Sequence, residues 1–252
     1  MFKTRLISGI VLVILAIASI LAGGSILLGV TAAISIVGMF ELYRVFQFEK
    51  TILAGVAYLA AILYYINLAL HFVDDEMILI LGMLILLMFV YVFSYPRYRA
   101  KQVMASFFGV FYVAVMLSYI YQIRTLDNGM YLAFLIFICS WGCDTCAYCV
   151  GKLIGRHKMS PKLSPKKSVE GGIGGVVGTA LLAALYCFVF RNAMGIDAKN
   201  IAVIAVIAAV AGMISMVGDL AASAIKRNQG IKDYGKLIPG HGGILDRFDS
   251  VI

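Results

Sequence analysis

Charge is scarce in this chain: only 13% of its 252 residues are Asp, Glu, Lys or Arg, against 62% that are hydrophobic. Too little charge is present to cover a soluble core, and a mean hydropathy of +0.97 describes a protein whose solvent is the bilayer. No soluble basic domain accompanies the net charge of +8, so nucleic acid is excluded as a partner. Anionic lipid headgroups or nucleotide phosphates fit the charge better. Cysteine is also too thin for a secreted disulfide framework: there are five, four of them between Cys139 and Cys149 inside an apolar stretch, where they read as small buried helix residues. Cys143, Cys146 and Cys149, spaced i, i+3, i+6, step about 60° apiece around a helix and rise about 9 Å along it, so they do not converge on one metal. A clear processing site is missing after the first apolar run, which reads as a retained span, not a cleaved signal.

What is present in abundance is long apolar runs. Eight are long enough to cross a hydrocarbon core of about 30 Å: residues 6–21, 25–43, 51–70, 77–95, 103–123, 130–150, 171–190 and 201–222. Ala22, Gly23 and Gly24 separate the first two, predicting a tight hairpin, with one long kinked helix as the alternative. The expected fold is therefore all-α, a single integral-membrane domain over residues 1–252, with N-terminal spans to residue 125 and spans plus loops from 126 onward. A further apolar run begins at Ser250, Val251 and Ile252, and a ninth span is expected beyond it.

Basic residues alternate with these spans. If the N-terminus and every second loop are cytoplasmic, that side receives 18 of the 21 Lys and Arg residues, leaving Arg124, Arg191 and Lys199 outside. A missed or invented span would invert this assignment downstream, so the asymmetry supports both the count and an inner-membrane orientation. Asp74, Asp75 and Glu76 fall on the outer side.

Two carboxylates, Asp144 and Asp219, lie at the cytoplasmic ends of otherwise apolar helices. An acid there is costly unless it meets a polar cavity, a partner or a metal, so function is its default reading. Ser215, Asp219 and Ser223 are spaced i, i+4, i+8 with Lys226 a turn further, a polar stripe on one helix face. Ser140, Asp144 and Tyr148 repeat that spacing. A blander role, pairing with a nearby lysine to close a helix end, would also keep such acids charged.

The last basic segment is the densest. Lys226, Arg227 and Lys232 precede Gly240, His241, Gly242 and Gly243, and then come Asp246, Arg247 and Asp249. Glycines there would let backbone N–H groups approach an anion, with the cations supplying charge. Asp246 and Asp249, at i, i+3, could join Asp219 on a hard divalent cation such as Mg²⁺. Upstream, Ser168 is predicted to cap the seventh span, aiming free N–H groups at a phosphate beside Lys166 and Lys167. The alternative for that loop is a topology signal only.

Ser223-x-hydrophobic-Lys226-Arg227, then Lys232-Asp233-x-Gly235, then Pro239-x-His241-Gly242-Gly243-hydrophobic-x-Asp246-Arg247-Phe248-Asp249 resembles the signature of the phosphatidate cytidylyltransferase (CDP-diacylglycerol synthase) family. The resemblance extends to Asp144-x-x-Ala147-Tyr148-x-x-Gly151, Ser164-Pro165-Lys166-Lys167, Glu170-Gly171 and Gly218-Asp219-Leu220. It covers the C-terminal half; the N-terminal half matches only as apolar spans. Val169 stands where the family usually has tryptophan, and the family's final span is absent.

The resemblance implies that the phosphate of phosphatidic acid attacks the α-phosphorus of CTP and pyrophosphate leaves, a reaction resting on positioning and charge neutralisation. It implies Mg²⁺ at Asp219, Asp246 and Asp249, with a second cation nearby and Asp144 as a further ligand or nucleotide contact. Lys166, Lys167, Ser168, Ser223, Lys226, Arg227, Lys232, Gly242, Gly243 and Arg247 would bind substrate, and His241 would shape the loop or protonate the leaving group. The implied partners are CTP, phosphatidic acid and membrane lipids. Small residues on the seventh span, Gly171 and Gly175 among them, would permit a homodimer. Competing readings are a CTP-dependent lipid kinase, an alcohol phosphotransferase on CDP-lipids, and a cation-coupled transporter. The phosphotransferase expects a D-G-x-x-A-R element that is missing, and the transporter leaves the loop signature unexplained.

Overall fold

The computed structural model describes residues 2–240 and 242–252, with side chains from Ile7 onward. Each apolar run becomes one helix: α1 (Phe2–Ala22), α2 (Gly24–Val45), α3 (Ile52–Leu70), α4 (Glu76–Phe93), α5 (Ala100–Thr125), α6 (Gly129–Ile154), α7 (Val169–Met194) and α8 (Ala198–Asn228). Seven of them, α2 to α8, are long and apolar enough to cross a membrane, and the described side chains of α1 add a shorter apolar stretch, Ile7–Ala22. The protein is an all-α, polytopic membrane bundle. Its helices start where the local chemistry allows: the Thr51 hydroxyl accepts from Ala54 N–H, Asp75 from Met77 N–H at 2.9 Å, and Ser168 from Gly171 N–H at 3.1 Å. These contacts replace intrahelical partners that a first turn lacks. Between α1 and α2 the break falls on Gly23, at φ 60°, a left-handed value that glycine alone takes without cost.

Two features were not legible in the apolar pattern. Both α5 and α6 contain a π-helical turn, Val110–Val115 and Ile138–Gly142, and the extra residue rotates everything downstream by about 100°. The expected stripe Ser140, Asp144, Tyr148 is therefore broken between Ser140, which lies within the turn, is buried and donates to Ile136 C=O, and Asp144 and Tyr148, which follow it. Between α6 and α7 the chain forms a short antiparallel hairpin, β1 (Lys158–Ser160) with β2 (Ser164–Ser168).

The chain packs as two compact units. One comprises the helices through Thr125 together with Asp233–Arg247, which includes most of a short helix, α9 (Leu245–Phe248). Its core is rich in tyrosine, and three of the buried hydroxyls reach acceptors: Tyr43 donates to Ser106 C=O at 2.6 Å, Tyr65 to Ala114 C=O at 3.0 Å and Tyr64 to Glu76 Oε2 at 2.8 Å. Within hydrocarbon such satisfaction is obligatory, because no water is at hand to replace a missing partner.

The other unit comprises Leu126–Lys232 and Phe248–Ile252. Its α6 and α7 touch through small residues. A Cβ on Gly174 would lie 2.5 Å from Val150, one on Gly175 3.0 Å from Ala147, and one on Gly178 2.6 Å from Cys146. Gly171 likewise abuts the Ala147 carbonyl. The small-residue face read as a means of self-association is thus consumed inside the chain, where backbones approach closely.

Candidate active site

In the second unit the acidic residues meet lysines. β2 alternates its side chains, as any strand does, so Lys166 is exposed while Lys167 turns inward and forms an ion pair with Asp219 of α8. The two lysines read as one phosphate-binding pair thus face different ways. One turn along α8, Ser223 Oγ lies 3.5 Å from Asp219 Oδ1. A further turn on, Lys226 is 8% exposed and its Nζ stands 3.7 Å from Asp249 Oδ2. Asp249 is itself buried, and its backbone carbonyl presses on Gly218, where a Cβ would approach to 2.8 Å. The polar stripe expected on α8 is therefore real, with Asp219, Ser223 and Lys226 on the helix and Asp249 set against Lys226. Asp144, on α6 of this unit, is half-buried.

Around this cluster other motif residues hold shape. Ser168 caps α7 as expected, and Gly151, Gly155 and Gly171 close around its hydroxyl, each too near to tolerate a side chain. Glu170 accepts from the backbone N–H groups of Arg156 and His157 and meets His157 Nδ1 at 2.6 Å. Arg227 donates to the carbonyls of Leu163, at 3.4 Å, and Ile231, at 3.3 Å, which ties the hairpin to the end of α8. Lys232 is exposed.

The glycine-rich segment belongs to the first unit, and there carboxylates receive backbone N–H groups. Asp246 is 5% exposed, and its Oδ2 accepts from Tyr234 N–H at 2.8 Å and Gly243 N–H at 2.9 Å. Glu41, near the end of α2, accepts from Ile244 N–H at 3.1 Å and Leu245 N–H at 2.9 Å. The N–H groups of residues 243–245 are therefore bonded to protein carboxylates, where the sequence suggested an open cradle for an anion. A Cβ on Gly242 would lie 2.8 Å from Asp246 Oδ2, and one on Gly235 or Gly243 would overlap the Glu41 carboxylate. These glycines make room for acids. Arg247 is half-buried in the same segment, and His241 lies outside the described residues.

Among the described residues no three His, Cys, Asp or Glu side chains gather into a metal centre. The donor chemistry nevertheless suits Mg²⁺. Asp219 and Asp249 offer hard carboxylate oxygens, and Ser215 Oγ, one turn before Asp219, is buried with no hydrogen-bond partner among the described residues. Lysine ammonium groups supply the positive charge at both carboxylates.

Glu41, which contacts the glycine-rich segment, belongs to none of the sequence motifs. The signal was available: an ionisable residue inside the second apolar run meets the same test that singled out Asp144 and Asp219.

Comparison with known proteins places the chain in a family. A model described as the cytidylyltransferase family matches residues 3–252, and the chain belongs to that family. Phosphatidate cytidylyltransferase of Haemophilus influenzae is 36% identical over 124 residues, covering 49% of this chain and 43% of the relative. The enzyme of that name from Staphylococcus aureus strain COL is 32% identical over 161 residues, covering 63% and 58%, and that of Staphylococcus saprophyticus 31% over 179 residues, covering 70% and 65%. The chain spans about half the length of the first of these relatives and somewhat more of the others.

Proposed function

We propose that this protein is a phosphatidate cytidylyltransferase, joining CTP and phosphatidic acid to give CDP-diacylglycerol and pyrophosphate. A phosphate oxygen of the lipid attacks the α-phosphorus of CTP, and the bond from that phosphorus to the bridging oxygen breaks as pyrophosphate departs. The nucleophile is already anionic at neutral pH, so the protein need not supply a strong base; its task is to orient two anions and offset their charge. The observation that carries this reading is the polar stripe of Asp219, Ser223 and Lys226 on α8, with Lys167 and Asp249 set against it. Lys167 and Lys226 can exchange a carboxylate for a phosphate as partner, since both are ionic contacts. Arg247 is assigned to the same anions.

Asp219 and Asp249, with Asp144 and Asp246 as further candidates, are the residues proposed to hold Mg²⁺, and the family resemblance adds a second cation. Bound to a triphosphate, such a cation offsets charge on the departing pyrophosphate. The uneven placement of Lys and Arg supports a cytoplasmic N-terminus and cytoplasmic loops in an inner membrane. Self-association would need a surface other than the α7 glycines.

Purified protein given labelled CTP and phosphatidic acid should form CDP-diacylglycerol only when Mg²⁺ is present. Transfer of the γ-phosphate to lipid would instead identify a CTP-dependent lipid kinase, and no consumption of CTP would refute both.

A further inference from the structure

We infer that Glu41 and Arg44, at the end of α2, are positioning residues that clamp the glycine-rich segment 233–247. Nothing in the signature motif points to them, because they lie about two hundred residues away at the end of an apolar span. At i, i+3 they share one helix face. Arg44 donates from its guanidinium to Tyr234 C=O at 2.6 Å, taking the start of the segment, while Glu41 takes Ile244 and Leu245 N–H at its end.

Burial makes the grip strong. Glu41 is 3% exposed, Tyr234 2% and Leu245 1%, so water cannot substitute for the carboxylate and both N–H groups would be left unpaired without it. The fit is tight on the other side as well, since Gly235 and Gly243 leave no space for a side chain against the Glu41 oxygens. Leu245 packs over Gly38, one turn earlier on α2. The same helix end thus fixes the segment by charge, by hydrogen bonds and by contact. Its purpose, on the reading that this segment serves the transfer reaction, is to hold Asp246 and Arg247 in one conformation.

The test uses the intact chain in detergent. Glu41→Gln keeps the shape of the side chain but turns an amide N–H₂ toward one backbone donor. Arg44→Gln, at an exposed position, removes the Tyr234 contact without touching the core. For Glu41→Gln, hydrogen exchange in residues 243–249 should rise by about tenfold or more, with exchange in α3 and α5 unchanged. KM for CTP should rise at least about fivefold as kcat falls, whereas mere loss of folded molecules would leave KM alone. Arg44→Gln should act in the same direction, less strongly. Unchanged exchange in 243–249, loosening spread equally over α3 and α5, or a loosened segment with normal kinetics would each overturn the assignment. Should Asp246→Asn keep full turnover, the catalytic reading of the segment fails, and the exchange measurement still decides the clamp.

Discussion

Two groups of acids in this molecule look alike in sequence and are satisfied in opposite ways. Asp219 and Asp249 face lysine ammonium groups, while Glu41 and Asp246 face backbone N–H groups. The difference is one of exchangeability. A lysine can leave a carboxylate for a phosphate by turning a flexible stem, and the carboxylate can then take another cation. A backbone N–H can leave only if the loop itself rearranges. The first arrangement suits groups that must change partners during a reaction; the second suits groups that hold the shape in which others react.

Substitution should separate the two groups. Asp219→Asn is expected to reduce turnover by about a hundredfold or more, with the thermal midpoint in detergent nearly unmoved. Asp246→Ala strands the N–H groups of Tyr234 and Gly243 and should destabilise the fold by at least about 2 kcal/mol as well as abolishing activity. Equal destabilisation by both, read from unfolding curves, would erase the distinction.

A smaller effect sharpens the shape-holding half of the comparison. Gly235→Ala drives a methyl group into the Glu41 carboxylate and should cost about 1–3 kcal/mol by overpacking, with activity falling alongside. Gly55→Ala, where a Cβ meets nothing within 4 Å, is the control and should be neutral or slightly stabilising. Similar melting temperatures for the two variants would mean that Gly235 is not packed against Glu41.

The smallest effect tests the exchangeable half. Lys167→Ala should raise KM for CTP by about tenfold, whereas Lys166→Ala, on the outward side of the same strand, should change it less than about twofold. Equal effects would return the two lysines to a single phosphate-binding pair.

How much of this was readable without coordinates depends on the physical signal. Helix positions were, because crossing a membrane demands a run of apolar residues that little else in a sequence imitates; all eight runs coincide with a helix to within a few residues. The polar stripe Ser215, Asp219, Ser223, Lys226 was also readable, since α8 contains no π turn to disturb its period. The stripe on α6 was lost for that reason, as nothing in Ile138–Gly142 announces the extra residue. Strand β2 is a five-residue segment of Ser, Pro and Lys with no apolar alternation, so its consequence, the parting of Lys166 from Lys167, was hidden. The role of the glycines was misread through their partner: flexibility near cations suggests an anion site, but Gly242 packs against Asp246 and Gly243 against a carboxylate contributed by a helix some two hundred residues upstream.

That distance bears on how the protein is made. Glu41 enters the membrane with the second helix, long before residues 244 and 245, whose N–H groups satisfy it, leave the ribosome. Until they arrive, the N-terminal helices hold an ionisable group in the bilayer without these partners, the kind of unfinished surface that invites misassembly or removal. Satisfaction of this acid is therefore deferred to the synthesis of the signature segment itself. A chain interrupted before that point would remain recognisably incomplete, and the cell's quality control would have a buried acid by which to know it.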